Sequence, residues 1–277
     1  MDLIARARQK RWHLAGHYSR PLPAPFTDAL RGARALEIGG PSPCFLADGV
    51  LPLYGLVASV DGVQFATETV WHGRMDEGEY RPEGAAARGR LWIADGATLA
   101  GVPEGAFDAV VASHVIEHIA NPLRALEAWR RAGRQGSWLL VVAPHGSQTF
   151  DHRRPVTTLE HMVSDHARGV GEDDLTHLEE TLALHDRARD LPMTDEEFAA
   201  PRRDNPRTRL LHHHVFTTGS LLALLDHAGL EIVAVETRRP QDVYVLGRWA
   251  EAPDNAAMLA RDAPWRRRSL FRADRRG

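Results

Sequence analysis

Apolar residues in this chain come in short solid runs, each stopped by a polar residue or a glycine. Ala35-Leu36-Glu37-Ile38 runs into Gly39-Gly40-Pro41-Ser42-Pro43. Leu56 to Val60 stops at Asp61, Leu91 to Ala94 at Asp95-Gly96-Ala97, and Phe107 to Ala112 at Ser113-His114. Ser137 to Ala143 stops at Pro144-His145-Gly146. Such runs predict strands of a parallel sheet, because helices cover both faces and no polar alternation is needed. Between the fourth and fifth runs, Pro122 to Trp129 places apolar residues at helical spacing. Strands alternating with helices predict right-handed crossovers, hence a doubly wound, mostly parallel α/β sheet.

Residues 147–210 break this rhythm. They are rich in Asp, Glu, Arg and His, with Pro155, Pro192, Pro201 and Pro206, and read as a helical and loop insertion capping the strand ends. The sheet pattern then resumes. Thr217-Thr218-Gly219-Ser220 offers hydroxyl caps for a helix over Leu221 to Ala228, and Gly229 ends it. Leu230 to Val235 and Val243 to Gly247 predict an antiparallel pair at the sheet edge. Residues 1–26 read as a short basic helix and a proline connector, 27–248 as the main domain, and 249–277 as a basic, solvated tail.

Composition narrows the function classes. The chain has 277 residues, 43% hydrophobic and 26% charged, enough for one large α/β domain with its own core. The net charge of −3 argues against a dedicated nucleic-acid binder. A single cysteine, Cys44, permits no internal disulfide and points to a reducing compartment. With no membrane-length apolar run and no signal-peptide core, the expectation is a cytoplasmic protein without a membrane partner.

Candidate chemistry gathers at the ends of the runs. Gly39 and Gly40 bring backbone within reach of a ligand. Glu37 offers a carboxylate at the end of the first strand, where nucleotide-type cofactors sit in open α/β sheets. Asp61 lies about 20 residues past the turn, the offset of an acid that holds ribose hydroxyls. A dehydrogenase is the rival for such a turn, but the third glycine it needs at the helix start is missing.

Taken together, these motifs resemble class I S-adenosylmethionine (SAM)-dependent methyltransferases, over residues 30–148 and again over 210–248. The carrying residues are Leu36-Glu37-Ile38-Gly39-Gly40-Pro41, Asp61, Ile93-Ala94-Asp95-Gly96, and Phe107-Asp108-Ala109-Val110-Val111-Ala112-Ser113-His114-Val115-Ile116-Glu117-His118. The resemblance implies a Rossmann-like, seven-stranded sheet and SAM as cofactor. It implies that Glu37, Gly39 and Gly40, with Pro41 in the same turn, line the methionine and ribose. Asp61 takes the ribose hydroxyls, Asp95 meets the adenine amino group beside Gly96 and Ala97, and Ser113 and His114 border the sulfonium. The prolines of the turn lack N–H donors, so the turn departs from the family's glycine pattern in detail.

Methyl transfer to a hydroxyl needs alignment and a group to take the proton. His145, directly after the fifth strand, is the expected base, with Asp151 orienting it and His114 near the methyl group. Glu117, His118, His152, Arg153 and His214 are the acceptor-side candidates, although Glu117 and His118 suit helix packing and Arg153 suits a salt bridge in the cap. In His212-His213-His214 adjacent side chains alternate faces, so at most His212 and His214 share one ion. Asp151, His145 and His214 are the metal candidates, and Mg2+ would favour Asp151 because it prefers oxygen. The segment Asp151 to Leu159 resembles bacterial methyltransferases of glycan and natural-product pathways, with mycobacterial-type sugar O-methyltransferases nearest in kind. The expected activity is O-methylation of a saccharide or other small polar acceptor, small molecule or oligosaccharide. A non-sugar natural product and a non-catalytic SAM-binding subunit are the alternatives, and a homodimer is left open.

Overall fold

The computed structural model describes residues 21–276. Helix α1 (Ala24–Leu30) leads into β1 (Arg34–Ile38). A 3-10 turn (Pro43–Phe45) and α2 (Leu53–Leu56) connect to β2 (Ser59–Gln64). A small ribbon of β3 (Glu68–Thr69) and β4 (Gly73–Arg74) precedes β5 (Gly78–Tyr80), β6 (Gly89–Ile93) and β7 (Phe107–Ser113). Helix α3 (Pro122–Ala132) runs into β8 (Gly133–Pro144). The insertion contributes α4 (Leu159–Arg168), α5 (Leu178–Leu184), α6 (Asp195–Arg203) and α7 (Asn205–Thr208). Then come α8 (Thr218–His227), β9 (Leu230–Arg238), β10 (Asp242–Trp249), α9 (Ala256–Leu259) and α10 (Pro264–Arg268).

The main sheet has eight strands in the order β5-β6-β2-β1-β7-β8-β10-β9. Its centre, β6-β2-β1-β7-β8, is parallel. β10 runs antiparallel to β8 and β9, and β5 antiparallel to β6. The doubly wound α/β fold is as the sequence implies, with β5 as one strand more than the seven expected.

Side chains along the central strands alternate between two cores, as the two-residue period requires. Leu36, Ile38, Val110 and Ala112 pack with Leu126 and Trp129 of α3 and with Leu221 and Leu225 of α8. Ala35, Ala109, Val111, Leu140 and Val142 pack on the other face against Phe26, Leu30, Phe45 and Tyr54. Both faces are covered, which is why the runs read as continuously apolar. Thr217 caps α8 reciprocally with Ser220, as its hydroxyls foretell.

Two expectations are corrected here. The second strand is displaced: Leu56 closes α2, and the strand begins at Ser59 and continues through Gly62-Val63-Gln64. Its carboxyl end is therefore Gln64 rather than Asp61. The segment after residue 249 is not a solvated tail. Ala263, Trp265 and Phe271 are buried in the main core, and Asp274 is buried behind them. The arginines of α10 lie on its outer side, and the apolar residues between them anchor the segment. The basic stretch at residues 1–20, read as a helix, lies outside the described residues. Among the described residues, no helix is long and apolar enough to cross a membrane.

Candidate active site

The turn after β1 is built around a buried carboxylate. Glu37 is fully buried; its Oε1 accepts from the Ser42 backbone N–H at 3.0 Å and from Ser42 Oγ at 2.8 Å. The Tyr80 hydroxyl donates to Oε2 at 2.7 Å, and the Tyr54 hydroxyl lies 3.0 Å from both oxygens. Burial pushes the Glu37 pKa up, against the pull of these hydrogen bonds. A Cβ added at Gly40 would collide with this carboxyl group, so glycine is required there. Gly39 has φ +73°, a left-handed conformation that favours glycine. Glu37 thus shapes the turn from inside; Gly40 is itself buried, while Gly39 and Pro41 are half-buried, and His72 Nε2 lies 3.0 Å from the Gly39 carbonyl.

Gln64, at the carboxyl end of β2, donates its side-chain amide to the Gly40 carbonyl. It therefore stands beside the turn, where a ribose-facing residue belongs. Asp61 does not. It pairs in register with Leu36, inside the sheet, and accepts from the Arg90 N–H at 3.1 Å and Trp92 Nε1 at 3.4 Å, with Arg34 Nη2 at 3.6 Å. The ribose role expected of Asp61 is corrected on this ground: its carboxylate serves strand β6 and Arg34.

Asp95 follows β6, as expected. Its Oδ1 accepts from the Ala97 N–H at 2.7 Å, and its Oδ2 is held by Arg209 Nη2 at 2.8 Å. Arg209 comes from the insertion. It also binds Glu172 Oε2 at 2.8 Å, and its guanidinium lies 5.3 Å from the centre of the Phe65 ring. The insertion therefore lays a cation between Phe65 and Asp95. Gly96 directs its carbonyl to Trp129 Nε1 at 2.8 Å, which ties this end of β6 to α3.

Beyond β7 the chain turns sharply. Ser113 Oγ contacts Cys44 Sγ at 3.3 Å, and His114 has φ +53°. Val115 packs on Gly39, where an added Cβ would meet its Cγ2 at 2.7 Å. The residues after β7 are thereby fixed against the glycine turn. His114 Nε2 lies 3.1 Å from Asp242 Oδ1, and its Nδ1 lies 3.4 Å from Glu117 Oε1. Burial pulls the His114 pKa down, but the flanking carboxylates outweigh it and raise the value to about 10. His114 is thus a cation at neutral pH, and it cannot accept a proton in that state.

Glu117, His118 and His212 converge next to it. One ligand atom from each lies within 4.8 Å of the other two. The His118 and His212 rings meet edge to face at 4.5 Å, and Trp71 covers His118 at 5.2 Å. His212 Nδ1 lies 2.6 Å from Asp151 Oδ2, so Asp151 fixes the ring. Asp151 in turn accepts from Arg154 Nη1 at 3.1 Å, and Arg154 also holds Glu180 and the His212 carbonyl. Burial opposes ionisation of Asp151, but His212 and Arg154 hold its pKa below the ordinary carboxylate range.

The other expected site residues are engaged elsewhere. His145 is fully buried; its Nδ1 accepts from the Ser147 N–H at 3.2 Å, which leaves Nε2 to donate to Asp274 Oδ1 at 3.1 Å. Phe271 packs on its ring at 4.9 Å. The expectation that His145 is the base, oriented by Asp151, is corrected: it binds the C-terminal segment beneath the sheet end, while Asp151 orients His212. His152 and Arg153 both reach Asp186, at 2.8 Å and 3.3 Å, an anchor for the cap rather than a free recognition surface. His214 is buried, with Nε2 3.2 Å from the Ala120 carbonyl. Asp151, His145 and His214 therefore do not form one metal site, because each has a different protein partner.

A parallel doubly wound sheet, a glycine turn at the end of its first strand and an acid at the end of β6 define a cofactor crevice of methyltransferase type. The model of a protein family described as "Methyltransferase domain" matches residues 25–235, and the chain belongs to that family of SAM-dependent enzymes. No curated protein matches the chain. Solved structures similar in fold include a SAM-dependent methyltransferase from Mesorhizobium loti, with 16% identity and TM-score 0.46, covering 81% of this chain and 96% of that one. Another, from Aquifex aeolicus, has 12% identity and TM-score 0.43, covering 82% and 87%. A third, the Burkholderia thailandensis 1,6-didemethyltoxoflavin-N1-methyltransferase with S-adenosylhomocysteine bound, has 12% identity and TM-score 0.46, covering 90% and 86%.

Proposed function

We propose that this SAM-dependent methyltransferase acts on a hydroxyl group of a saccharide or other small polar acceptor. The observation that carries the proposal is the convergence of Glu117 and His118, just past β7, with His212 from the end of the insertion. An alkyl hydroxyl is a poor nucleophile until its proton is weakened or removed. A purely apolar pocket would suit a softer acceptor. This cluster instead offers imidazole and carboxylate, with His114 alongside.

The cofactor would run across the sheet end. Backbone of Gly39 and Gly40 lies by its methionine, Gln64 by its ribose, and Asp95 and Phe65 by its adenine. Ser113 and His114 border the sulfonium. Arg209 must move, or slide along Phe65, for adenine to reach Asp95. Mg2+ at Asp151 has little support, since both carboxylate oxygens are already held by His212 and Arg154.

The test is a methyl-transfer screen with labelled SAM over sugars, phenols, amines and small acids, with calorimetry of SAM and S-adenosylhomocysteine alongside. Transfer to hydroxyl-bearing acceptors is expected. Transfer only to amines overturns the acceptor class, and binding without any transfer favours a SAM-binding subunit.

A further inference from the structure

Glu117 is an anomaly among the buried acids. It is 1% exposed, yet neither of its carboxylate oxygens accepts a hydrogen bond. Its nearest charged neighbour, His114 Nδ1, stands at 3.4 Å, an ionic contact too long for a good hydrogen bond. Buried carboxylates ordinarily collect donors, as Glu37 does from Ser42, Tyr54 and Tyr80. Removing a carboxylate from water without replacing its partners is costly.

Its neighbours share the deficit. His118 Nδ1 is buried without a partner, while the ring's contact is with the Leu211 backbone. His212 donates through Nδ1 to the Asp151 carboxylate, so Nε2 is the nitrogen left to serve a ligand. Glu117, His118 and His212 thus bring a carboxylate and two imidazoles within 4.8 Å of one another, with both Glu117 oxygens and His118 Nδ1 buried and lacking a hydrogen bond. A metal ion shared by the three would satisfy these atoms together. The Asp151–His212 contact is also the arrangement that orients a metal-bound imidazole and makes it more basic.

A second cluster shows the contrast. His161 Nε2 lies 3.0 Å from both His177 Nε2 and Asp165 Oδ2, and Asp165 is bound by Arg168. Its members already partner one another.

We propose that Glu117, His118 and His212 hold a divalent transition-metal ion that binds the acceptor's hydroxyl oxygen. Two imidazoles and one carboxylate suit a borderline ion such as Zn2+ or Co2+ better than Mg2+. Three protein ligands leave coordination positions for an acceptor oxygen. The ion lowers the pKa of that hydroxyl, and its proton passes to solvent. The bound oxygen then attacks the methyl group. The O–C bond forms as the C–S bond breaks, and the sulfonium keeps the electron pair as the neutral thioether of S-adenosylhomocysteine. This role rests on the O-methyltransferase proposal above; occupancy of the site by metal does not.

The experiment is calorimetric titration of the chelator-stripped full chain with ZnCl2, together with the visible absorption spectrum of its Co2+ form. Wild type is expected to bind an ion at this site and to show the ligand-field bands of a low-coordinate Co2+ site. Glu117→Gln, His118→Ala and His212→Ala are each expected to weaken that binding by about a hundredfold or more, and to lose the bands. The paired His161→Ala/His177→Ala variant should keep both. SAM affinity, measured on the same proteins, should not change in any of them. Absence of binding by wild type overturns the proposal, as does binding retained by the three variants and lost in the His161/His177 pair. Wild type that binds the ion but not SAM would instead sink the proposed function. Glu117→Gln is isosteric, and the wild-type Co2+ spectrum needs no variant, so misfolding cannot hide the answer.

Discussion

Asp151 Oδ2 lies 2.6 Å from His212 Nδ1, and this contact ties the cap to the catalytic end of the sheet. Asp151 sits at the start of the insertion and His212 at its close, 61 positions apart. The same carboxylate is clamped by Arg154. His212 therefore has one tautomer and one orientation, both set from outside the crevice.

Asp151→Asn should leave SAM affinity unchanged and lower kcat by up to about a hundredfold, the scale of losing the partner that orients a metal-bound imidazole. KM for the acceptor should move much less. Steady-state kinetics with calorimetry check this; an equal loss in SAM binding would mean that Asp151 only holds the cap together.

Arg209→Ala should tighten SAM binding severalfold, because Arg209 occupies Asp95 Oδ2 and covers Phe65. The pair is partly solvated, so the gain is at most about 1 kcal/mol. Weaker binding in this variant would show instead that Arg209 itself contacts the cofactor.

Gly40→Ala should destabilise the protein by about 3 kcal/mol, within the range of severe packing clashes. The added methyl would drive into the Glu37 carboxyl, which has no room to retreat between Ser42, Tyr54 and Tyr80. Chemical denaturation measures it, and a loss under about 0.5 kcal/mol would show that the turn yields.

His145→Ala should also lower stability, by about 3 kcal/mol, since it strips one partner from the buried Asp274. Turnover of the folded fraction should persist. Loss of turnover with an unchanged melting temperature would restore His145 to the reaction.

Acid should unfold the protein early. Burial, reinforced by neighbouring cations, depresses the pKa of His213 well below 6.5 and that of His214 to about 3. Both stay neutral in the folded state, whereas the unfolded chain protonates them near pH 6.5. Stability is therefore full above about pH 6.5 and falls as pH drops from there toward 3. Asp274 adds to the loss lower down: burial opposes its ionisation, but hydrogen bonds from His145, Ser269 and Thr218 hold its pKa below 3.8. Melting temperature against pH tests this, and His214→Leu should flatten the slope.

The sheet was legible because burial on both faces writes itself into consecutive apolar residues. Ile38, Val111 and Val141 had nowhere else to go. The crevice was half legible. Gly39, Asp95 and Ser113 sit at strand ends, and the strand ends could be read. Asp61 misled because the pattern does not mark where a helix end gives way to a strand, and Leu56 belongs to α2. Gln64 gave no signal, since an amide at a strand end has no distinctive neighbours in sequence. His145 looked exposed because it follows a strand. Its partner Asp274 lies 129 positions away, and no local pattern records such a pairing. The Glu117–His118–His212 cluster was hidden for the same reason: its third member arrives from the far side of the insertion.

The bond between His145 and Asp274 also orders events in time. On a ribosome, β8 is complete long before residue 274 emerges, so His145 waits without a partner while most of the polypeptide is already made. Until then the core also lacks Trp265 and Phe271, which pack into it in the folded protein. Trimming the chain before Ala263 is therefore expected to lay core open rather than to remove a dispensable extension.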